Sequence, residues 1–400
     1  MNSNKDLGPM LAYLEDAPAD NGSAVRGLSK AIVPLLRCLD DEFDAYIVNQ
    51  THTRLPADKM PSFVRNKLIE TNTQGKIVRN AWKLATVLPL SMTLAIVCLF
   101  VPRPARGILP RDNLCLWVPI GIDPGTLVRA WCLARRIRLP LHLYFVDDIE
   151  THPSNVNTKR LGRLVAKIVR DASRVYTITA ELGALFTQRY GVKTRRLPLI
   201  PEMTKFTKLE PSAAPQASPF FAVYLGSINH LYEDGIRHFI DAVRKLRVTT
   251  GHELELRLFS DPVDVSRVCG GEIPTWVTAG PEKDDAVLRC QIESASFCFL
   301  PYSFHEDARS MVATSFPSKL LDYLIDARAI VIFAPEYSIA HKTLYAEGIP
   351  HVVHTPEALA CLLTTLATSN GLKSNQNTYR SLLARRFGTD TVKRALCAPW

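Results

Sequence analysis

The residues with the clearest potential for chemistry are Pro317, Ser318 and Lys319, with Asp322 one helical turn further on. Proline is common in the first turn of a helix, and Ser315 is of a residue type that caps helix N-termini. The free amides at such a helix start favour an anion, and Lys319 adds a positive charge. The pattern therefore predicts a phosphate site in which Asp322 accepts hydrogen bonds from ribose hydroxyls. The alternative interpretation is that Lys319 and Asp322 are solvated helix residues.

Two apolar runs in the second half of the chain end in residues suited to ligand contact. One is followed by Gly226 and Ser227, and the other by Tyr302 and a polar loop that contains Arg309. A glycine before a helix lets a ligand approach the backbone closely, and an arginine side chain suits phosphate. Ligands of open α/β sheets bind at the carboxyl ends of the strands, so we expect these residues to share one site.

Two adjacent acids, Asp147 and Asp148, follow the apolar run 142–146. Neighbouring residues on a strand point to opposite faces, so only one of the two carboxylates can face a ligand. That carboxylate can position an acceptor hydroxyl or act as a base, and a structural helix cap is the competing interpretation. The spacing does not match a pair of metal-binding acids separated by one residue, and we expect no metal.

A third loop contains Asn21, Gly22 and Ser23, between the apolar run 10–14 and a helix pattern. Its glycine again allows a phosphate or sugar to approach the backbone at a helix N-terminus. An ordinary turn explains an Asn-Gly pair equally well. These three residues form a candidate acceptor or phosphate loop.

Short apolar runs alternate with amphipathic helix patterns, which predicts mainly parallel sheets covered on both faces. The predicted strands are 10–14, 45–48, 114–118, 142–146 and 174–178 in the first half, and 220–225, 254–258, 297–300 and 330–333 in the second. Prolines and small polar residues at 201–218 indicate a linker. We therefore expect an N-terminal domain over 1–200, a C-terminal domain over 219–375, and a C-terminal helix over 376–400 that packs back on the first domain.

The composition supports two globular domains, because 400 residues exceed what one hydrophobic core usually supports. A hydrophobic content of 47% with 22% charged residues excludes a disordered or fibrous chain. Residues 1–200 carry 28 Lys and Arg against 17 Asp and Glu, a net charge of +11, whereas the second half carries 20 against 22. A basic half points to phosphate-bearing partners. Nine cysteines without a Cys-x-x-Cys pair indicate reduced thiols in a cytosolic protein rather than a zinc site.

The stretch 54–111 departs from the alternating pattern. It holds ten Lys and Arg against two acids, and its portion 84–102 carries no charge. Apolar residues flanked by cations suit the interface of an anionic membrane. A fully buried helix and strand, or a membrane span, are the alternatives, although a span would separate strands that must pair in one sheet. We expect peripheral association with the inner face of the cell membrane.

Several segments follow one another in the order and spacing of a known family. They are 221–227 followed by Gly235, 294–302 with its Pro-Tyr end, 316–324 with its Pro-Ser-Lys start, 329–331, and in the first half 171–179 and 189–192. Together they resemble the retaining family 4 glycosyltransferases of the GT-B fold. The resemblance extends over about residues 110–395, and before that it is one of architecture only.

The resemblance implies two Rossmann-like domains that face each other across a cleft, without a cofactor or a metal. It implies a nucleotide-sugar donor held mainly by the second domain and an acceptor held mainly by the first. The implied donor-site residues are Gly226, Ser227, Tyr302, Arg309, Pro317, Ser318, Lys319 and Asp322. Lys319 and helix N-termini would stabilise the leaving diphosphate, and Asp147 or Asp148 would contact the acceptor.

The sequence departs from the family pattern in two places. Thr314 stands where the family usually has the first of two glutamates, and Ser227 and Asp234 lie near positions that usually carry Arg and Lys. Phosphate neutralisation would then depend on Lys319, with Arg309 or Arg237 as further candidates.

Four functions are compatible with these features, and a membrane-associated glycosyltransferase that acts on a lipid-linked or saccharide acceptor ranks first. A nucleotide-sugar epimerase shares the architecture but gives no reason for the apolar stretch. A binding-only subunit is the non-enzymatic alternative, because Thr314 replaces a glutamate. Nucleic-acid binding ranks last, since no RNA- or DNA-binding module is recognisable.

Overall fold

The chain divides into two compact units. The computed structural model describes residues 10–14, 27–49, 60–71, 114–121, 123–151, 159–201, 220–282, 284–368 and 374–400. The first unit comprises Met1–Leu199 and Thr389–Trp400, and the second comprises Ile200–Gly388. The predicted loop at Asn21, Gly22 and Ser23, the stretch 84–102, and all of the predicted linker except Pro201 lie outside the described residues.

The first unit contains a parallel sheet of seven strands in the order β3-β2-β1-β4-β5-β6-β7. The strands are β1 (Met10–Leu14), β2 (Phe43–Asn49), β3 (Leu68–Thr71), β4 (Cys115–Ile120), β5 (Leu141–Phe145), β6 (Arg174–Thr177) and β7 (Arg195–Arg196). The five strands predicted in this half are confirmed. The two edge strands β3 and β7 were missed because they are short and carry charged residues. β3 lies inside the basic stretch 54–111 and pairs with β2.

The described helices of this half lie between these strands. They are α1 (Gly27–Cys38), α2 (Ser62–Asn66), α3 (Pro124–Ile137), α4 (Lys159–Asp171) and α5 (Ala180–Tyr190). Local sequence sets their ends: Asp123 accepts hydrogen bonds from the first amides of α3, and Thr179 does so for α5. Glycine in the left-handed conformation ends α5 at Gly191, whereas α3 ends at Arg138 in the same conformation.

The second unit contains a parallel sheet of six strands in the order β10-β9-β8-β11-β12-β13. The strands are β8 (Phe221–Leu225), β9 (Glu255–Phe259), β10 (Val277–Ala279), β11 (Phe297–Pro301), β12 (Ile330–Phe333) and β13 (Val352–Val353). The four strands predicted here are confirmed. In β9 the buried Leu256 and Leu258 alternate with half-buried residues, as the alternation of leucine with charge predicts.

The described helices of the second unit alternate with its strands and continue beyond the last of them. They are α6 (Glu233–Thr250), α7 (Pro262–Cys269), α8 (Asp285–Ser294), α9 (Arg309–Thr314), α10 (Ser318–Asp326), α11 (Ile339–Tyr345), α12 (Pro356–Thr368) and α13 (Gln376–Phe387). Gly235 is essential for the position of α6, because a Cβ there would lie 2.8 Å from the Tyr302 carbonyl oxygen and from Pro301 Cβ. The first turn of α6 therefore packs directly on the carboxyl end of β11.

The C-terminal segment 376–400 differs from the single helix expected there. It forms α13, which belongs to the second unit, and α14 (Thr389–Cys397), which belongs to the first. The extended backbone of Gly388 ends α13, so the helix cannot continue. After α14 the Trp400 ring meets Tyr176 edge-on at 5.4 Å, and Arg195 donates hydrogen bonds to the carbonyls of residues 395, 398 and 399.

Candidate functional site

The helix that carries the phosphate-site candidates starts later than the sequence predicts. α10 begins at Ser318, and Pro317 is its N-cap residue with extended backbone. The prediction that Ser315 caps this helix is wrong, because Ser315 instead ends α9 and its amide donates to Met311 O at 2.7 Å. Proline disfavours helical backbone in the residue before it, so Phe316 interrupts the helix and separates Ser315 from α10.

The Lys319 ammonium is held by two tyrosines. Its Nζ donates a hydrogen bond to the Tyr224 hydroxyl at 2.9 Å, and it lies 3.8 Å from the ring centroid of Tyr232 and 4.3 Å from that of Tyr224. The Tyr224 hydroxyl in turn donates to Ser227 O at 2.8 Å. Cation–π contact with two rings fixes the half-buried ammonium at the carboxyl end of β8.

Lys319 forms no ion pair with any of the described residues. Burial among the aromatic rings lowers its pKa to about 7 from an ordinary value of 10.5. A cation whose charge is disfavoured by its surroundings gains from the arrival of an anion, because the anion restores the electrostatic interaction that water no longer provides. An anion is therefore the kind of ligand that would stabilise the charged form of Lys319 in this position.

Gly226 brings the backbone close to this ammonium. It adopts a φ of +100°, a conformation that favours glycine, and a Cβ there would lie 3.4 Å from Lys319 Nζ. Gly226 and Ser227 are both exposed. The structure thus brings the predicted residues Gly226, Ser227 and Lys319 together, as the strand-end argument predicts.

The first turn of α6 and the loop after β11 meet beside the tyrosines. The Tyr302 ring is buried and lies 5.5 Å from the Tyr232 ring. Asp234 Oδ2 accepts the Phe304 amide at 2.7 Å, whereas the buried Asp234 Oδ1 has no hydrogen-bond partner in the part of the chain that the structure describes. The Asp234 carboxylate therefore fixes the loop that follows Tyr302.

The two arginines considered as further phosphate contacts are engaged with acids. Arg309 pairs with Glu306 at 3.3 Å and lies over the Tyr337 ring at 4.4 Å. Arg237 pairs with Glu233 at 2.7 Å. Both pairs are exposed, so these side chains can exchange partners at low cost.

The remaining donor-site candidates lie on or next to α10. Ser318 is exposed at its first position, and Asp322 is half-buried one turn further along. Thr314, in place of the family's glutamate, is buried, and its hydroxyl donates to Ser310 O at 2.7 Å.

At the carboxyl end of β5 in the first unit, Asp148 is fully buried. Its two oxygens accept hydrogen bonds from Arg189 at 2.8 and 3.0 Å, and Oδ1 also accepts the Glu150 amide at 3.1 Å. This ion pair, rather than a helix cap, accounts for Asp148. Asp147 is half-buried beside it.

Sequence reasoning missed three residues that position these groups. Tyr224 and Tyr232 flank Lys319, and Tyr323 accepts the Leu225 amide at 2.9 Å and so ties α10 to the end of β8. Tyrosine at the end of a buried strand and just before a helix is a usable signal for the first two, since a buried hydroxyl needs a partner. Among the described residues, no group of three or more His, Cys, Asp or Glu could hold a metal ion.

Comparison with known proteins identifies the fold. No family model matches the sequence, and no curated protein is similar to it. A sucrose-phosphate synthase from Thermosynechococcus elongatus superposes with a TM-score of 0.64 at 14% identity, covering 97% of both chains. A structure from E. coli, described as trehalose-6-phosphate bound with UDP-2-fluoro glucose, superposes with a TM-score of 0.62 at 12% identity and covers 97% of both chains. An alpha,alpha-trehalose-phosphate synthase (UDP-forming) from Burkholderia vietnamiensis superposes with a TM-score of 0.60 at 11% identity and covers 98% of both chains.

These similarities extend over nearly the whole chain, at identities that show the fold alone. Both units contain the parallel, doubly wound sheets that the sequence predicts. The chain therefore has the GT-B fold of the glycosyltransferases to which it is structurally similar.

Proposed function

We propose that the protein is a glycosyltransferase that moves a sugar from a nucleotide-sugar donor to a lipid-linked or saccharide acceptor, in polysaccharide or glycolipid biosynthesis. One observation carries the proposal: Lys319 is held between two tyrosine rings, without an ion-pair partner among the described residues, at the start of α10. A diphosphate fits this position because it meets both a helix N-terminus and a cation there. The UDP-2-fluoro glucose bound by the E. coli protein supports a nucleotide-sugar as the donor.

The proposed chemistry is stabilisation of the leaving group. The bond between the sugar's anomeric carbon and the diphosphate breaks, and the negative charge that develops on the diphosphate is stabilised by Lys319 and by the amides at Ser318 and Lys319. The new bond forms to an acceptor hydroxyl, whose proton passes to the departing diphosphate. Retention of configuration and the absence of a metal from this step follow from the resemblance to family 4.

Asp147 is the better candidate for contact with the acceptor. Both oxygens of Asp148 are committed to Arg189, so a role in catalysis would first require that buried pair to break. Asp147 follows the same strand and is half-buried. Asn21, Gly22 and Ser23 stay part of the proposal as an acceptor or phosphate loop.

Peripheral association with the cytoplasmic face of an anionic membrane belongs to the same proposal. It is supported by the ten cations and the uncharged 19 residues of the stretch 54–111. Within the described residues, no helix has the length and apolar character needed to cross a bilayer.

A binding-only subunit is the second candidate, favoured by Thr314. Its hydroxyl donates to Ser310 O, and it lacks the negative charge with which a carboxylate would bind sugar hydroxyls. A protein of this kind would bind nucleotide-sugars without transferring or hydrolysing them.

The test is calorimetric titration of the full chain with UDP-, GDP-, ADP-, CMP- and dTDP-sugars, repeated with Lys319→Met. We expect one nucleotide class to bind and the variant to weaken binding about 10- to 100-fold, because a hydrogen bond to a charged group contributes about 1.5–3 kcal/mol. Lys245→Met, on the exposed face of α6, is the matched control and should bind as the wild type does. Release of sugar from the bound donor is then measured. An enzyme releases the sugar, whereas a binding-only subunit does not. Failure of every nucleotide-sugar to bind the folded protein would contradict the proposal.

A further inference from the structure

A cavity lies in the first unit, at the opposite edge of its sheet from Asp147. It has a volume of about 550 Å³, within the range of small-molecule sites. The C-terminal ends of α3 and α4 and the amino ends of β5 and β6 form its walls. The polar side chains that line it belong to Arg135, Arg138, Lys167, Asp171 and Ser173.

The charge of this cavity is positive. Three cations face one carboxylate, and Asp171 pairs with Arg135 at 3.6 Å and with Lys167 at 3.2 Å. Arg138 forms no ion pair with any of the described residues. The net charge of the lining side chains is therefore +2, which attracts an anion.

Trp131 holds two of these cations in place. The ring is only 5% exposed, and its indole N–H donates to Asp171 Oδ2 at 3.0 Å. The Arg135 guanidinium lies 4.8 Å and the Lys167 ammonium 5.7 Å from the ring centroid. Cations that already rest on an aromatic ring lose little conformational freedom when an anion binds, so the cavity is pre-organised.

Arg138 ends its helix in the left-handed conformation, in which the other described helices with such an end have glycine. The helices α5, α6 and α7 end at Gly191, Gly251 and Gly270 with φ between 69° and 88°, whereas α3 ends at Arg138 with a φ of 60°. A residue with a side chain is strained in this conformation, because its Cβ lies too close to the following carbonyl oxygen. A cation without an ion-pair partner among the described residues thus lines the cavity, at a position whose backbone favours glycine. Attraction between the cations and the helix C-termini is the competing explanation, and it requires no ligand.

We propose that this cavity is a phosphate-binding site, separate from the Lys319 site and independent of the function proposed above. Arg138 and Lys167 bind the phosphate oxygens, Arg135 and Ser173 complete the contacts, and Trp131 and Asp171 position the cations. The ligand class is a phosphate monoester, either a free phosphorylated metabolite or the headgroup of an anionic lipid.

The experiment uses the full chain carrying Lys319→Met, so that any phosphate at the other site does not contribute. Inorganic phosphate and glycerol 3-phosphate are titrated by calorimetry, and flotation is measured with phosphatidylcholine vesicles with and without phosphatidic acid. We expect Arg138→Gly and Lys167→Gln each to weaken phosphate binding about tenfold or more. Arg138→Gly keeps the helix end intact because glycine suits its backbone conformation. Arg163→Gln, an exposed cation of α4 outside the cavity, is the control and should change binding less than twofold.

The two sources of phosphate give different results. Binding of glycerol 3-phosphate without flotation identifies a free metabolite, and flotation that needs phosphatidic acid and falls in both cavity variants identifies a lipid headgroup. The proposal is overturned if neither probe binds, if the cavity variants bind as well as the parent, or if Arg163→Gln weakens binding equally. Equal weakening would mean that the whole basic surface attracts anions without a site.

Discussion

A charged side chain lies at the carboxyl edge of each parallel sheet, and the two charges are accommodated differently. In the first unit the buried Asp148 is paired through both oxygens with Arg189. In the second unit Lys319 has two tyrosine rings around it and no ion-pair partner among the described residues. A charge that is buried with its partner is costly to separate from it, whereas a cation held without an anion is ready to bind one. The comparison predicts that removing the first charge damages stability and that removing the second damages binding.

The largest expected effect is that of Asp148→Asn. The change leaves Arg189 without the carboxylate that neutralises it, in a site where Asp148 itself is fully buried. We expect the free energy of unfolding of the first unit to fall by about 3–5 kcal/mol. Tryptophan fluorescence during urea unfolding is a suitable measurement, because four of the five tryptophans belong to that unit.

Asp147→Asn is the matched control for this measurement. Its half-buried carboxylate should contribute about 1 kcal/mol or less to stability. Equal losses of unfolding free energy in the two variants would contradict the distinction between a structural and a functional carboxylate at this strand end.

Lys319→Met should have the opposite effect on stability. The pKa of Lys319 is about 7 in the folded protein and about 10.5 in an exposed chain, so between these pH values the unfolded chain binds the proton more tightly. Stability of the wild type therefore rises from pH 7 to pH 10, by about 1–2 kcal/mol after allowance for solvent screening. The variant should lack this rise and should melt a few degrees higher at neutral pH, about 2–4 °C per kcal/mol for a unit of this size. A wild type and variant with parallel pH profiles would show that the ammonium is not disfavoured in the fold.

The fold was largely predictable because parallel sheets leave a strong sequence signal. Buried strands such as β8 and β12 are short apolar runs between helix patterns, and each begins and ends within two residues of its predicted bounds. Edge strands carry no such signal: β7 is two arginines, and it is defined only by pairing with β6. The break within the helix predicted over 376–400 was missed because it depends on the backbone conformation of one residue, Gly388.

The grouping of the candidate-site residues was predictable, and their contacts were less so. The rule that ligands bind at strand carboxyl ends placed Gly226, Ser227 and Lys319 together. It could not show that Tyr224 and Tyr232 surround the ammonium, because these contacts join residues about ninety positions apart in the sequence. Nor could it separate Asp147 from Asp148, since the distinction depends on Arg189, 41 residues beyond Asp148.

His142 extends the comparison to a group that the fold keeps uncharged. It lies on β5 next to the Arg174 charge and the Tyr176 ring, and burial lowers its pKa to about 3 from 6.5. Between these pH values the unfolded chain binds more protons, so His142 reduces stability as the pH falls from 6.5 toward 3, by at most about 1.4 kcal/mol per pH unit. His142→Leu should remove this part of the acid sensitivity, measured as the difference in urea midpoints between pH 7 and pH 5. An unchanged difference would show that carboxylates alone cause it.

The smallest effect expected is that of Tyr224→Phe, which separates the two ways in which Tyr224 holds Lys319. The ring and its cation–π contact remain, while the hydroxyl that accepts from Nζ and donates to Ser227 O is lost. A single hydrogen bond contributes about 0.5–1.5 kcal/mol, so nucleotide-sugar affinity should fall about two- to tenfold, less than in Lys319→Met. Calorimetry on both variants shows which substitution weakens nucleotide-sugar binding more. If Tyr224→Phe weakens binding as much as Lys319→Met does, the hydroxyl itself contacts the ligand, and the second unit binds its anion through a tyrosine as well as through Lys319.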